Sequence, residues 1–149
     1  GDGKVVPKFK PSRANAAFSL HTTASDYGKF VVAAMEGRLL SAKTARLWLE
    51  PRVATPRGRF EALEPIPLEA EPDVFWGLGW GLEPGTGAFF HWGANPGMTS
   101  FVLGVPEKRA AFVVFMNGDA GLDIVPDIVG HLMQGRHPAL TWLKLPQAS

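Results

Sequence analysis

The sequence predicts an α+β domain in which helices cover an antiparallel β-sheet. Two helical periodicities come early in the chain, four strand-like segments joined by short turns follow, and a further helical periodicity comes after them. Turns this short join antiparallel neighbours, because a parallel crossover needs a dozen residues or more. A sheet with apolar faces must then bury them under helices.

Each element has a local reason. Residues 1–20 are rich in Pro, Gly and Lys and read as an extended entry segment. Thr23 is placed as a helix N-cap, with Asp26 three residues on to return a hydrogen bond. Tyr27, Phe30, Val31 and Ala34 then recur at helical spacing, and Gly37 is the natural stop. A second helix starts at Ser41 and ends by Pro51. Residues 52–73 carry four prolines among mixed charges and no periodicity, so they read as a long loop. In 74–82 the large residues Val74, Trp76, Leu78, Trp80 and Leu82 alternate with Gly77, Gly79 and Gly81, which reads as one strand with a face open to close approach. Residues 84–87 turn the chain into a strand over 88–93, followed by strands over 99–105 and 110–116. The last is apolar on both parities, the pattern of a strand covered on both faces. A final helix is expected over 123–134, with Pro126 tolerable only in its first turn.

Composition narrows the function. The chain has 149 residues, 46% hydrophobic and 19% charged, which describes one globular domain. The formal net charge is +1 and the charges are dispersed, so no nucleic-acid footprint is expected. There is no cysteine, which excludes thiolate catalysis and Cys-based zinc sites. The four histidines, His21, His91, His131 and His137, form no metal-binding spacing, so no metal and no cofactor are expected. No apolar run reaches the roughly 20 residues of a membrane span.

The segment with most chemistry is 89–97, Phe-Phe-His-Trp-Gly-Ala-Asn-Pro-Gly. A strand ends in a polar side chain, a glycine and a tight loop, the shape of a cleft wall. Gly93 lets a ligand lie against the backbone. The amide of Ala94 is placed to donate to a developing oxyanion. His91 can donate to a substrate carboxylate or move a proton near neutral pH. Trp92 and Asn95 are candidate substrate contacts. The competing reading of each is structural: a strand histidine more often satisfies its surroundings than catalyses, and Trp92 can be core. Trp76 and Trp80 read as core rather than a sugar platform, Tyr27 as core, and His21, His131 and His137 as surface or capping groups.

His91-Trp92-Gly93 resembles the His-x-Gly form of the third motif of β-lactamase and penicillin-binding-protein-like serine hydrolases, which in many relatives reads Lys-Thr-Gly. Residues 19–27 resemble the small-residue entry to a helix that often reads Ser-Thr-Ala-x-Asp-Leu. Leu39-Leu40-Ser41 is similar to the start of the next helix, Trp76-Gly77-Leu78-Gly79-Trp80 to the aromatic-glycine strand before the third motif, and 112–118 to the strand that precedes the last helix. The resemblance spans about residues 14–134. It implies a partial β-lactamase or transpeptidase-like fold, an acyl-enzyme mechanism on an ester, amide, β-lactam or D-amino-acid peptide, and a periplasmic or secreted setting.

Two of the family's motifs are missing. No lysine has a serine three positions before it; the nearest spacing is Thr141 to Lys144. The sole tyrosine, Tyr27, is followed by Gly28 and Lys29, so Tyr-x-Asn is absent as well. In the family both precede the matched region. The expectation is therefore a C-terminal segment whose parent is the enzyme. The alternative is a non-catalytic binding module that keeps the cleft wall. In either case strand 110–116 has one neighbour within the chain, and its other edge is expected to pair with the missing N-terminal half or with a second copy.

Overall fold

The computed structural model describes residues 4, 5, 7, 10–38, 40–55 and 73–145. Helix α1 (Ala24–Met35) begins at the expected cap: the Thr23 hydroxyl accepts from the Asp26 amide at 3.1 Å and donates to the Asp26 carboxylate. The Lys29 ammonium first, and then the Thr23 hydroxyl, hold that carboxyl below its ordinary range. The helix ends in a Schellman turn, with the Gly37 amide on the Ala34 carbonyl and the Arg38 amide on the Ala33 carbonyl. Helix α2 (Ala42–Trp48) is capped by Ser41 and stops short of Pro51.

Among the described residues, six strands follow the chain in order and form one antiparallel meander: β1 (Val53–Ala54), β2 (Phe75–Trp76), β3 (Gly81–Glu83), β4 (Ala88–Asn95), β5 (Met98–Val105) and β6 (Ala110–Met116). A 3₁₀ turn over Gly121–Ile124 leads into α3 (Val125–Leu132), with Pro126 in its first turn, and α4 (Pro138–Trp142) comes next. The sheet is the middle layer. Alternation along β4 sends Phe89 to one face, with Val31, Trp80, Leu82 and Val102, and Phe90 to the other, with Phe101, Leu103, Val125, Val129 and Leu143. Tyr27 lies half-buried against Phe30 and Phe115, and burial raises its phenol above the ordinary range. The fold is α+β with helices on an antiparallel sheet, as the sequence predicts.

Several elements differ from expectation. Residues 74–82 are a hairpin rather than one strand. The Gly77 amide bonds the Trp80 carbonyl at 2.8 Å and Gly79 sits at φ +87°, which reverses the chain between β2 and β3. Trp76 and Trp80 therefore pack on opposite faces of the sheet instead of sharing one. Gly81 does serve close approach: a Cβ there would collide with the Phe90 ring. Within 52–73, Val53 and Ala54 pair with β2, and 56–72 lie outside the described residues. The entry segment is not uniformly extended, since Asn15 and Ser19 close a turn through reciprocal bonds. Strand β6 is half-buried rather than fully covered, with Phe115 exposed, and pairs with β5 alone among the described residues.

The largest surprise is His137. The sequence places it on the surface, yet it is 5% exposed and donates through Nδ1 to Glu83 Oε2 at 2.8 Å. Glu83 itself is 0% exposed. Its Oε2 also accepts from the Thr86 hydroxyl at 2.6 Å, and its Oε1 accepts from the Ala139 amide at 2.8 Å, at the start of α4. One buried carboxylate thus ties the β3–β4 turn to the last helix. Glu83→Ala strands two buried donors, the His137 ring N–H and the Ala139 amide, while the Thr86 hydroxyl keeps the Glu83 main-chain carbonyl; each buried donor left unsatisfied costs about 1–3 kcal/mol. The expected total is about 3–5 kcal/mol, the range for breaking a buried pair, seen as a melting temperature lower by roughly 10 °C. Glu83→Gln, which keeps the acceptor for Ala139, should lose less.

Candidate functional site

The site is built on the end of β4. Strand β3 pairs with β4 only as far as Phe90, opposite Gly81. From His91 to Asn95 the strand keeps its partner on the β5 side, and among the described residues no strand pairs with its outer edge. The β4–β5 hairpin has a two-residue loop, Pro96-Gly97, with Gly97 at φ +77°; proline then positive φ is the type II sequence. Such a loop closes on a hydrogen-bonded pair, here Asn95 with Met98. Bonded and non-bonded pairs alternate along the ladder. Gly93 and His91 therefore bond β5, while the peptide groups of Trp92 and Ala94 point to the open edge.

This places the sequence-predicted residues individually. Ala94 and Asn95 are exposed; His91, Trp92 and Gly93 are half-buried. His91 Nδ1 lies 2.8 Å from the Trp92 carbonyl oxygen. Its ring is braced by three indoles, with centroids 5.7 Å from Trp76, 6.3 Å from Trp80 and 5.5 Å from Trp92. Trp92 leans to the opposite layer, 5.9 Å from Trp76 and 5.4 Å from Trp142. Gly93 has a structural use: a Cβ there would stand 2.8 Å from Ser100 Oγ, so the space left by its missing side chain is taken on that face by the Ser100 hydroxyl.

Sequence reasoning missed the residues that fix this wall. The Gly97 amide donates to Asp119 Oδ1 at 2.6 Å, and the Thr99 hydroxyl donates to the Gly118 carbonyl at 3.0 Å. Both bonds fasten the β4–β5 loop to the loop after β6. Gly121 fits beneath them, where a Cβ would collide with Thr99 and Met116. The visible signal was weak: Asn117-Gly118-Asp119 reads only as a turn. His21 is exposed, and His131 donates to the Asp127 carbonyl within α3, far from His91 in the fold's order. Among the described residues no three His, Asp or Glu side chains converge as a metal site, and no helix is long and apolar enough to cross a membrane.

Among the described residues the arrangement offers a strand edge with no paired strand, the peptide group of Ala94 turned outward, an imidazole beside it and a loop pinned at two points. Such an edge can align an extended acyl group and place an amide against its carbonyl oxygen. A family model described as Beta-lactamase matches residues 1–128. No curated protein matches the chain. With the antiparallel meander, its covering helices and this match over most of its length, the chain belongs to the β-lactamase family.

Proposed function

We propose that this chain is the C-terminal portion of a serine hydrolase of that family and supplies one wall of its acyl-transfer site. The observation that carries the reading is the open edge of β4, where His91, the outward peptide group of Ala94 and the exposed Asn95 lie together beside the half-buried Trp92. The nucleophilic serine and its lysine come from upstream sequence in this reading. The serine attacks the carbonyl of an ester, amide, β-lactam or D-amino-acid peptide, the lysine and a tyrosine shuttle its proton to the leaving group, and the acyl-enzyme is then hydrolysed. The Ala94 amide stabilises the oxyanion, Gly93 sets the strand against Ser100, and Trp92 and Asn95 border the substrate.

The absence of Ser-x-x-Lys supports a second reading, a binding module that keeps the wall without the chemistry. An upstream reading frame that carries Ser-x-x-Lys decides for the enzyme; a stable product of this segment alone decides for the module. On either reading, the side of β6 left without a partner among the described residues takes a strand from the N-terminal half or from another copy.

The chain alone should not be acylated. Intact mass after exposure to a β-lactam or a fluorophosphonate should be unchanged, and a stoichiometric adduct on a serine would overturn the assignment. In a complete protein, His91→Ala should lower kcat/KM roughly ten- to a hundredfold, the scale of one hydrogen bond or one proton-transfer group lost from the wall, with a smaller effect on folding. Unchanged kinetics with a lower melting temperature would make His91 structural. Light scattering of the chain alone should show a species larger than 16.1 kDa, with the amides of β6 protected from exchange; a monomer whose alternate β6 amides exchange freely would leave that edge open.

A further inference from the structure

We propose that neutral His91 is held as its Nδ1–H tautomer, so that it presents an Nε2 lone pair and acts at the open edge of β4 as a proton acceptor. This rests on the reading of that edge as the wall of an acyl-transfer site. Nδ1 lies 2.8 Å from the Trp92 carbonyl oxygen. A carbonyl oxygen only accepts, so the nitrogen that faces it carries the proton. A neutral imidazole has one N–H, and Nε2 is left with its lone pair. The hydrogen bond made by one ring nitrogen thus sets what the other can do.

The surroundings keep this choice. The ring lies near-parallel to Trp92, at 27°, and meets the edges of Trp76 and Trp80 at 64° and 79°. A flip of the ring would put a carbon against the Trp92 carbonyl and lose this bond, which favours the orientation seen. Nε2 has no hydrogen-bond partner among the described residues, and His91 is half-buried rather than buried. The His91 lone pair is therefore available at the edge.

The chemistry that follows is narrower than the sequence allows. A carboxylate offers only lone pairs, so neutral His91 has nothing to donate to it from Nε2. The group it serves is a donor, above all a hydroxyl of water or of an alcohol. In that transfer the O–H bond breaks, the proton joins Nε2, and the electron pair stays on the oxygen, while Nδ1–H remains on the Trp92 carbonyl. Recognition of a substrate carboxylate by His91 would require the imidazolium.

The test is a long-range ¹H–¹⁵N correlation spectrum of the ¹⁵N-labelled full chain, recorded at alkaline pH and assigned through the backbone. Nε2 neighbours both ring carbons that carry hydrogen, whereas Nδ1 neighbours one. The far-downfield, unprotonated nitrogen of His91 should correlate with both Hδ2 and Hε1, and the upfield, protonated nitrogen with Hε1 alone. The reverse pattern, or two nitrogens averaged to one intermediate position, overturns the proposal. No substrate is needed, so a failed activity test of the wall leaves this result standing, and a reversed tautomer leaves the wall reading untouched.

Discussion

The pairing of β4 with β5 is the constraint on which the rest of this molecule depends. It is the longest ladder with β5–β6 in the sheet, and the Pro96-Gly97 loop fixes its register at Asn95 and Met98. Strand alternation has period two, so a slip of one residue would exchange the faces. Phe89 and Phe90 would trade cores, His91 would leave its indoles, and the outward peptide groups would become those of Gly93 and Asn95. The bond from Gly97 to Asp119 and that from Thr99 to Gly118 hold the same register from the far side. Position, orientation and chemistry of the wall are thus one decision, made at a two-residue turn.

Much of this layout was legible because it rests on local rules. The α1 cap, its Schellman end, the α2 cap and the boundaries of β6 follow from side-chain types at fixed offsets. The order of strands followed from turn length. Periodicity failed where a chain reversal mimicked alternation: in 74–82 the large residues keep one parity through a hairpin, and only the positive φ of Gly79 distinguishes the two. Helix α4 was missed although Pro138 stands in its first turn, where proline is favoured.

The candidate wall was legible in its residue names and not in its fastening. His91, Trp92, Gly93, Ala94 and Asn95 form one continuous segment, so a sequence pattern captures them. Ser100, Asp119 and Gly121 act across the fold, over separations that no local rule spans. The same holds for Glu83 and His137, 54 residues apart. A glutamate before a turn and a histidine before a proline each look like surface groups; burial makes them partners, because an unpaired carboxylate could not stay in the core.

The meander has a kinetic meaning. Among the described residues every strand pairs only with its neighbours in sequence, so this part of the sheet contains no crossover. Low contact order of this kind lets hairpins close early, before distant segments must find one another. The β4–β5 hairpin, with its short loop, is the natural first step, and β6 adds to it without a long search. The wall therefore rests on the most local pairing in the sheet, the one with the least loop-closure entropy to lose.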